Sequence, residues 1–245
     1  METNIELMKE KVGSEACKYI ESNSTIGLGS GSTVKYLIQH IGENLRKKHF
    51  ENIEFVCSSI ETEKVCTANN INFSQIEDIE SINGYIDGAD EITNSGFAIK
   101  GLGGALTREK ILRKMSNNFI VIVTSNKLVS HLGIQAPLPV EILQFGYNKT
   151  MKQIIKIKNE NFNIKDLILR KIKNTDEPFI TDNYNYLADI FFDNPLKSEK
   201  SVLLEINNSL KSLTGVVETG LFLDPADTII IGDIVRKDIR IIENK

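Results

Sequence analysis

The stretch TIGLGSGSTVKYLIQHIGENLRKK (25–48) joins three local signals in a fixed order. Residues 25–28 have the apolar, β-branched character of a buried strand. Gly29, Ser30, Gly31, Ser32 and Thr33 then form a glycine–hydroxyl loop. Val34, Leu37, Ile38, Ile41 and Leu45 recur at helical spacing, and Arg46, Lys47 and Lys48 favour the negative end of that helix. Strand, loop and helix in this order cradle phosphate, because the loop presents backbone N–H groups at the positive helix terminus. The loop does not complete G-x-G-x-x-G, since Val34 holds the last position counted from Gly29. The next strand, 53–57, ends in Ser58 and Ser59 where a dinucleotide binder wants an acid for the ribose, and there is no Walker lysine. A small phosphate or phosphosugar fits better than a dinucleotide.

Working outward, residues 3–20 read as an amphipathic helix carrying Ile5, Met8, Val12, Ala16 and Tyr19. Residues 61–68 look helical, a short strand falls near 71–73, and another covers 85–86. A helix at 105–115 leads to the continuous β-branched run 119–124, a buried central strand that ends just before Lys127. This alternation implies a parallel sheet. After Pro137 and Pro139 the order becomes strand 140–145, helix 149–158, strand 164–172, extended chain 179–192, helix 198–213 and strand 215–217. That is the β-α-β-β-α-β order of a ferredoxin-like domain. Strand character returns at 221–223 and 228–231. The expected fold is α/β: a Rossmann-like parallel-sheet domain (1–132 and 221–245) interrupted by a ferredoxin-like α+β insertion (133–220).

The chemistry concentrates in GYIDGADEITNSGFAIKGLGGALTREK (84–110). A buried strand breaks at Asp87-Gly88, and three carboxylates follow within five residues: Asp87, Asp90 and Glu91. Lys100, then Gly101, Leu102, Gly103 and Gly104, precede a helix that contains Glu109. Asp-Gly alone is an ordinary turn and a Glu early in a helix often only complements its dipole. Together with Lys100 and the glycine run, however, they supply carboxylates, an ammonium and open N–H groups just beyond a strand's carboxyl end, where open α/β sheets bind ligands. That inventory suits proton transfer beside a stabilised oxyanion. The spacing D-x-x-D-E lacks the alternating acids and distal Glu of a calcium loop, so no metal site is expected.

The chain has 245 residues, 41% hydrophobic and 25% charged, enough to bury a proper core as one large or two modest domains. Its net charge of −4 leaves no electrostatic footprint for nucleic acid or an anionic membrane. Cys17, Cys57 and Cys66 form no C-x-x-C pair, which fits a reducing compartment, and His40, His49 and His131 have no metal-ligand spacing. The acidic start and the lack of a long apolar run point to a cytoplasmic protein.

Six motifs in order resemble the type A ribose-5-phosphate isomerase family: IGLGSGSTV (26–34), DGADEI (87–92), KGLGGALTREK (100–110), PLPVEIL (137–143), FITDNYNYLAD (179–189) and TGVVETGLF (214–222). The resemblance implies a Rossmann-like domain with an α+β insertion, no cofactor, and interconversion of ribose 5-phosphate and ribulose 5-phosphate in the non-oxidative pentose phosphate pathway. It also implies a homodimer or homotetramer. By position, Ser30, Gly31, Ser32 and Thr33 would hold the phosphate. Asp87 and Asp90, with Gly88 and Ala89 as neighbouring substrate contacts, would act near the sugar hydroxyls, one of the two acids assisting ring opening. Lys100 and the N–H groups of Gly101, Leu102 and Gly103 would face the enediolate oxygen, and Glu109 would be the proton shuttle. Lys127 matches a substrate contact, and Lys9 matches a phosphate-side lysine more loosely. Ser30 stands where threonine is usual and Leu102 where glycine is frequent. The same fold also occurs in sugar-phosphate-sensing domains of transcription regulators and in CoA transferases. A regulator would carry a helix-turn-helix and a basic face, and this chain has neither.

Overall fold

The computed structural model describes residues 2–157 and 163–244. They form two compact units, one of Met1–Ala89, Arg108–Leu128 and Pro225–Lys245, the other of Asp90–Thr107 and Val129–Asp224. In chain order the first stretch holds α1 (Glu2–Ala16), β1 (Ser24–Leu28), α2 (Ser32–Arg46), β2 (Ile53–Cys57), α3 (Ile60–Ala68) and β3 (Ile82–Asp87). The short strands β4 (Glu91–Ile92) and β5 (Ala98–Ile99) follow, then α4 (Leu106–Met115) and β6 (Ser116–Thr124). Next come β7 (Leu138–Ile142), α5 (Tyr147–Ile154), β8 (Ile164–Leu169), β9 (Tyr186–Phe192), α6 (Lys200–Lys211) and β10 (Val216–Thr219). The last strands are β11 (Leu221–Phe222), β12 (Thr228–Gly232) and β13 (Ile239–Glu243).

The first unit is built on a six-stranded sheet of order β2-β1-β3-β6-β12-β13. Its first five strands are parallel and β13 closes the edge antiparallel to β12. Chain order reverses between β1 and β3, so the crevice beyond their carboxyl ends is the topological switch point where such sheets bind ligands. The sheet's Leu28, Ile86, Ile122 and Ile230 share a core with Val12 and Ala16 of α1 and with Leu37 and Ile41 of α2. A fully buried side chain of this size contributes about 1.5–3 kcal/mol over an exposed one. Ser59 caps α3 by accepting a hydrogen bond from the Thr62 N–H at 3.0 Å.

In the second unit, β10-β7-β9-β8 form an antiparallel sheet. Counting from β7, its spatial order is 4-1-3-2 with helices after the first and third strands, the expected split β-α-β arrangement. Leu138, Val140, Ala188 and Ile190 of this sheet are buried with Ile154 of α5 and with Leu203, Ile206 and Leu210 of α6. A separate three-stranded sheet has the order β11-β5-β4.

The expected helices and long strands are present within a few residues of their anticipated limits. Position 158, the anticipated end of the first insertion helix, lies outside the described residues. The anticipated strand near 71–73 is reduced to one parallel bridge between Val56 and Ser74. The anticipated strand at 221–223 does not join the large sheet; as β11 it pairs with β5. By their packing the units divide near 128 and 224, and the 90–107 segment packs with the second unit. The physical reason is local: Phe97 and Ile99 are buried in that unit's core beside Leu138 and Val140. Among the described residues no helix is long and apolar enough to cross a membrane.

Candidate active site

In the first unit the switch point is furnished by β1, β3 and α4. Asp87 ends β3 and is fully buried. Its Oδ1 accepts hydrogen bonds from the backbone N–H of Ser30 at 2.9 Å and of Gly88 at 2.6 Å. Its Oδ2 accepts the hydroxyl of Tyr85. Tyr85 reaches it because residues two apart on a strand face the same side. The Tyr85 ring stacks on Phe119, with centroids 5.4 Å apart, which fixes the hydroxyl. Burial first, and then the negative charges of Asp87 and Glu109, push the Tyr85 phenol well above its ordinary range, so it stays a hydrogen-bond donor.

Gly29 makes this approach possible. A Cβ at that position would lie 1.9 Å from the Asp87 Cγ. Glu109, 2% exposed in α4, accepts a hydrogen bond from the Ser30 hydroxyl at 2.5 Å. The hydroxyl expected at the phosphate thus holds the carboxylate expected to be the base. Behind it, α2 starts at Ser32 with Gly31 at its N-cap and no side-chain cap. That end is suited to an anion, with the buried Thr33 and exposed Ser32 in its first turn.

The second unit carries the other predicted group. Lys100 follows β5, is 2% exposed, and places its Nζ 5.5 Å from the centroid of the Phe222 ring. Its backbone N–H donates to the Gly220 carbonyl at 3.0 Å. Gly101 has φ +106°, a conformation that requires glycine, and its carbonyl accepts the Gly104 N–H at 3.0 Å to close a tight turn. Asp90 donates its own N–H to the Ile99 carbonyl, and its Oδ2 accepts the Leu102 N–H at 2.9 Å. The Leu102 side chain is 41% exposed, so leucine here does not crowd the turn.

The two other predicted lysines belong to the first unit. Lys127 ends the short helical turn after β6 and is half-buried. Lys9 lies on α1 in a 2.7 Å ion pair with Glu6, which also accepts the Tyr36 hydroxyl at 2.8 Å. Sequence reasoning missed Tyr85, which it counted only as a strand residue, and missed the bond from Ser30 to Glu109. It also assigned nothing to Glu141. That fully buried carboxylate accepts hydrogen bonds from the Thr107 hydroxyl at 2.5 Å, the Thr181 hydroxyl at 2.8 Å, and the amides of Asn183 and Asn185 at 3.1 and 2.9 Å. This network explains the polar motif at 179–185 and ties down the first turn of α4.

Comparison with known proteins bears on the same residues. The family model for ribose 5-phosphate isomerase A (phosphoriboisomerase A) matches residues 54–234, which include Asp87, Asp90, Lys100 and Glu109. The chain belongs to the ribose 5-phosphate isomerase A family. A relative named ribose-5-phosphate isomerase A from Staphylococcus epidermidis is 39% identical over 213 residues, 87% of each chain. Among solved structures, the ribose 5-phosphate isomerase of Plasmodium falciparum superposes with a TM-score of 0.90 at 34% identity, over 98% of this chain and 99% of that one. A D-ribose-5-phosphate isomerase in complex with phospho-erythronic acid gives 0.88 at 33% identity, with the same coverage. Family membership and the α/β architecture expected from the sequence therefore agree.

Proposed function

We propose that this protein interconverts D-ribose 5-phosphate and D-ribulose 5-phosphate through an enediolate, with Glu109 shuttling the proton. The observation that carries this reading is the buried Glu109 carboxylate, held by the hydroxyl of Ser30 in the loop after β1, beside the sheet's switch point. In the open-chain aldose the Glu109 carboxylate removes the C2 proton, and the electron pair moves into the C1 carbonyl to give the enediolate. The 2-hydroxyl proton passes to the C1 oxygen, protonated Glu109 returns its proton to C1, and C2 becomes the ketone. One carboxylate serves both carbons because they are adjacent. A general base contributes on the order of 10²–10⁴ in rate.

The developing negative charge is assigned to Lys100 and the backbone N–H groups of Gly101 and Gly103, with the Leu102 N–H held on the Asp90 Oδ2; one well-placed donor is worth about 3 kcal/mol. Asp87 and Asp90, with Gly88 and Ala89, are assigned to the sugar hydroxyls, one acid assisting ring opening. Gly31, Ser32 and Thr33, with Lys9, are assigned to the substrate's phosphate end, Ser30 of the same loop to holding Glu109, and Lys127 to a further substrate contact. Binding energy from the phosphate, remote from the reacting carbons, positions the sugar. No cofactor is required by this chemistry. A cytoplasmic homodimer or homotetramer completes the proposal, and sedimentation reads the oligomer directly.

The test is ketose formation from ribose 5-phosphate, with free ribose as the comparison and inorganic phosphate as competitor. Ribose 5-phosphate should turn over, ribose should be a very poor substrate, and phosphate should compete. Activity should survive dialysis against a chelator. Binding without turnover would point instead to a sugar-phosphate sensor.

A further inference from the structure

The polar motif at 179–189 ends in Asp189, a residue to which the chemistry above gives no part. Asp189 lies on β9 and is paired with Arg170, the residue directly after β8. Arg170 donates from Nε to the Asp189 Oδ2 at 2.9 Å and from Nη2 to the Asp189 Oδ1. Both side chains are 13% exposed. The remaining nitrogen, Nη1, donates to two backbone carbonyls of the glycine turn, Gly101 at 2.8 Å and Leu102 at 2.9 Å.

We propose that Arg170 is a positioning residue whose guanidinium, locked by Asp189, holds the Leu102 N–H on Asp90 and sets the direction of the Gly103 backbone N–H at the reacting oxygen. It rests on the proposed function, in which the Gly103 amide faces the enediolate oxygen. The argument is geometric. A guanidinium is a rigid plane with five donors, so two parallel bonds to Asp189 fix where Nη1 points. A trans peptide is also rigid, and its N–H points opposite to its C=O. Holding the Gly101 carbonyl therefore directs the Leu102 N–H away from Arg170, and that N–H is found on the Asp90 Oδ2 at 2.9 Å. Holding the Leu102 carbonyl directs the Gly103 N–H away in the same manner.

The turn needs such an anchor. Glycines at 101, 103 and 104 add little stiffness, and the exposed Leu102 side chain gives limited packing. The cation on the carbonyl side also polarises each peptide, strengthening its N–H as a donor. Lysine cannot substitute, because a single ammonium cannot hold Asp189 in a two-point fork and still span both carbonyls.

The test compares wild type, Arg170→Lys, Arg170→Ala, Asp189→Asn and Glu109→Gln by kcat, KM for ribose 5-phosphate, and Kd for phospho-erythronic acid. The carboxylate of that acid presents oxygens much as an enediolate does. Arg170→Lys should lower kcat about 10²-fold, the scale of a misplacement near 1 Å. Its KM should stay within about threefold, and affinity for the acid should fall in parallel with kcat. Asp189→Asn should show the same pattern more weakly. Added guanidinium ion should restore part of the kcat of Arg170→Ala, which a generally loosened fold would not do. Wild-type kcat in Arg170→Lys would overturn the proposal. So would a loss of Tm and kcat with affinity for the acid unchanged. Failure of the isomerase mechanism itself looks different: Glu109→Gln would then retain turnover.

Discussion

Replacing Gly29 with alanine places a methyl group in space that Asp87 occupies. The added Cβ would lie 1.9 Å from the Asp87 Cγ, 2.0 Å from its Oδ1 and 2.4 Å from its Cβ. Carbon atoms in contact stand about 3.5 Å apart, so Asp87 must retreat by roughly 1.5 Å. The strands cannot separate to make room, because β1 and β3 are paired up to Leu28 and Ile86. A retreat of that size breaks the 2.9 Å bond from the Ser30 N–H and the bond from the Tyr85 hydroxyl. Overpacking costs about 1–3 kcal/mol, and each lost bond to a charged group about 1.5–3 kcal/mol. With partial relaxation a loss of about 4 kcal/mol is expected, which lowers Tm by about 10 °C in a chain of this length. Displacing Asp87 and Ser30 together should also lower kcat about 10²-fold. Gly146→Ala is the control: nothing lies within 4 Å of its Cβ, and only the φ of +72° is strained, a cost of about 1–2 kcal/mol. Denaturant melts and turnover of the two variants decide the matter. Equal stability and equal activity in both would refute the close approach of Gly29 to Asp87.

Two further outcomes follow from the same geometry. Leu102→Gly should leave kcat within about twofold, because the leucine side chain is 41% exposed and the turn is held through its backbone; a tenfold change would contradict that. Tyr85 is raised above its ordinary value near 10 in the folded state, so only the unfolded chain releases this proton just above pH 10. Its stabilisation is complete below that pH and is lost as pH rises towards the folded value, at up to about 1.4 kcal/mol per pH unit. Tyr85→Phe should flatten this alkaline decline in denaturant midpoint, and an unchanged slope would count against the assignment.

How much of this was legible depends on the length of each signal. β1, its loop and α2 were readable because apolar spacing and turn chemistry agree over more than twenty residues. β6 was readable as an uninterrupted β-branched run. β4 and β5 have two residues each, too short for any period to register, so no strand was expected between Glu91 and Lys100. The placement of Phe97 and Ile99 in the second core is a long-range packing fact that local pattern does not encode. At the site, residue types were visible but partners were not. A hydroxyl in a glycine loop reads as a phosphate ligand, and only the fold shows Ser30 bonded to Glu109. Tyr85 reads as core until the fold shows its hydroxyl bonded to Asp87. Arg170 binds backbone carbonyls, and sequence does not mark which carbonyls will need a donor.

The central claim is that Glu109 carries the proton, and its most direct test is Glu109→Gln. Glutamine keeps the shape of the side chain and can still accept the Ser30 hydroxyl, but it cannot take up a proton at neutral pH. Binding of ribose 5-phosphate, turnover, and exchange of the C2 proton with solvent deuterium are measured on the same preparation. The account predicts a Kd changed by less than about threefold, with kcat and exchange falling together by on the order of 10² or more. A glutamine variant that keeps most of its turnover, or that loses turnover while still exchanging the C2 proton at the wild-type rate, would contradict it.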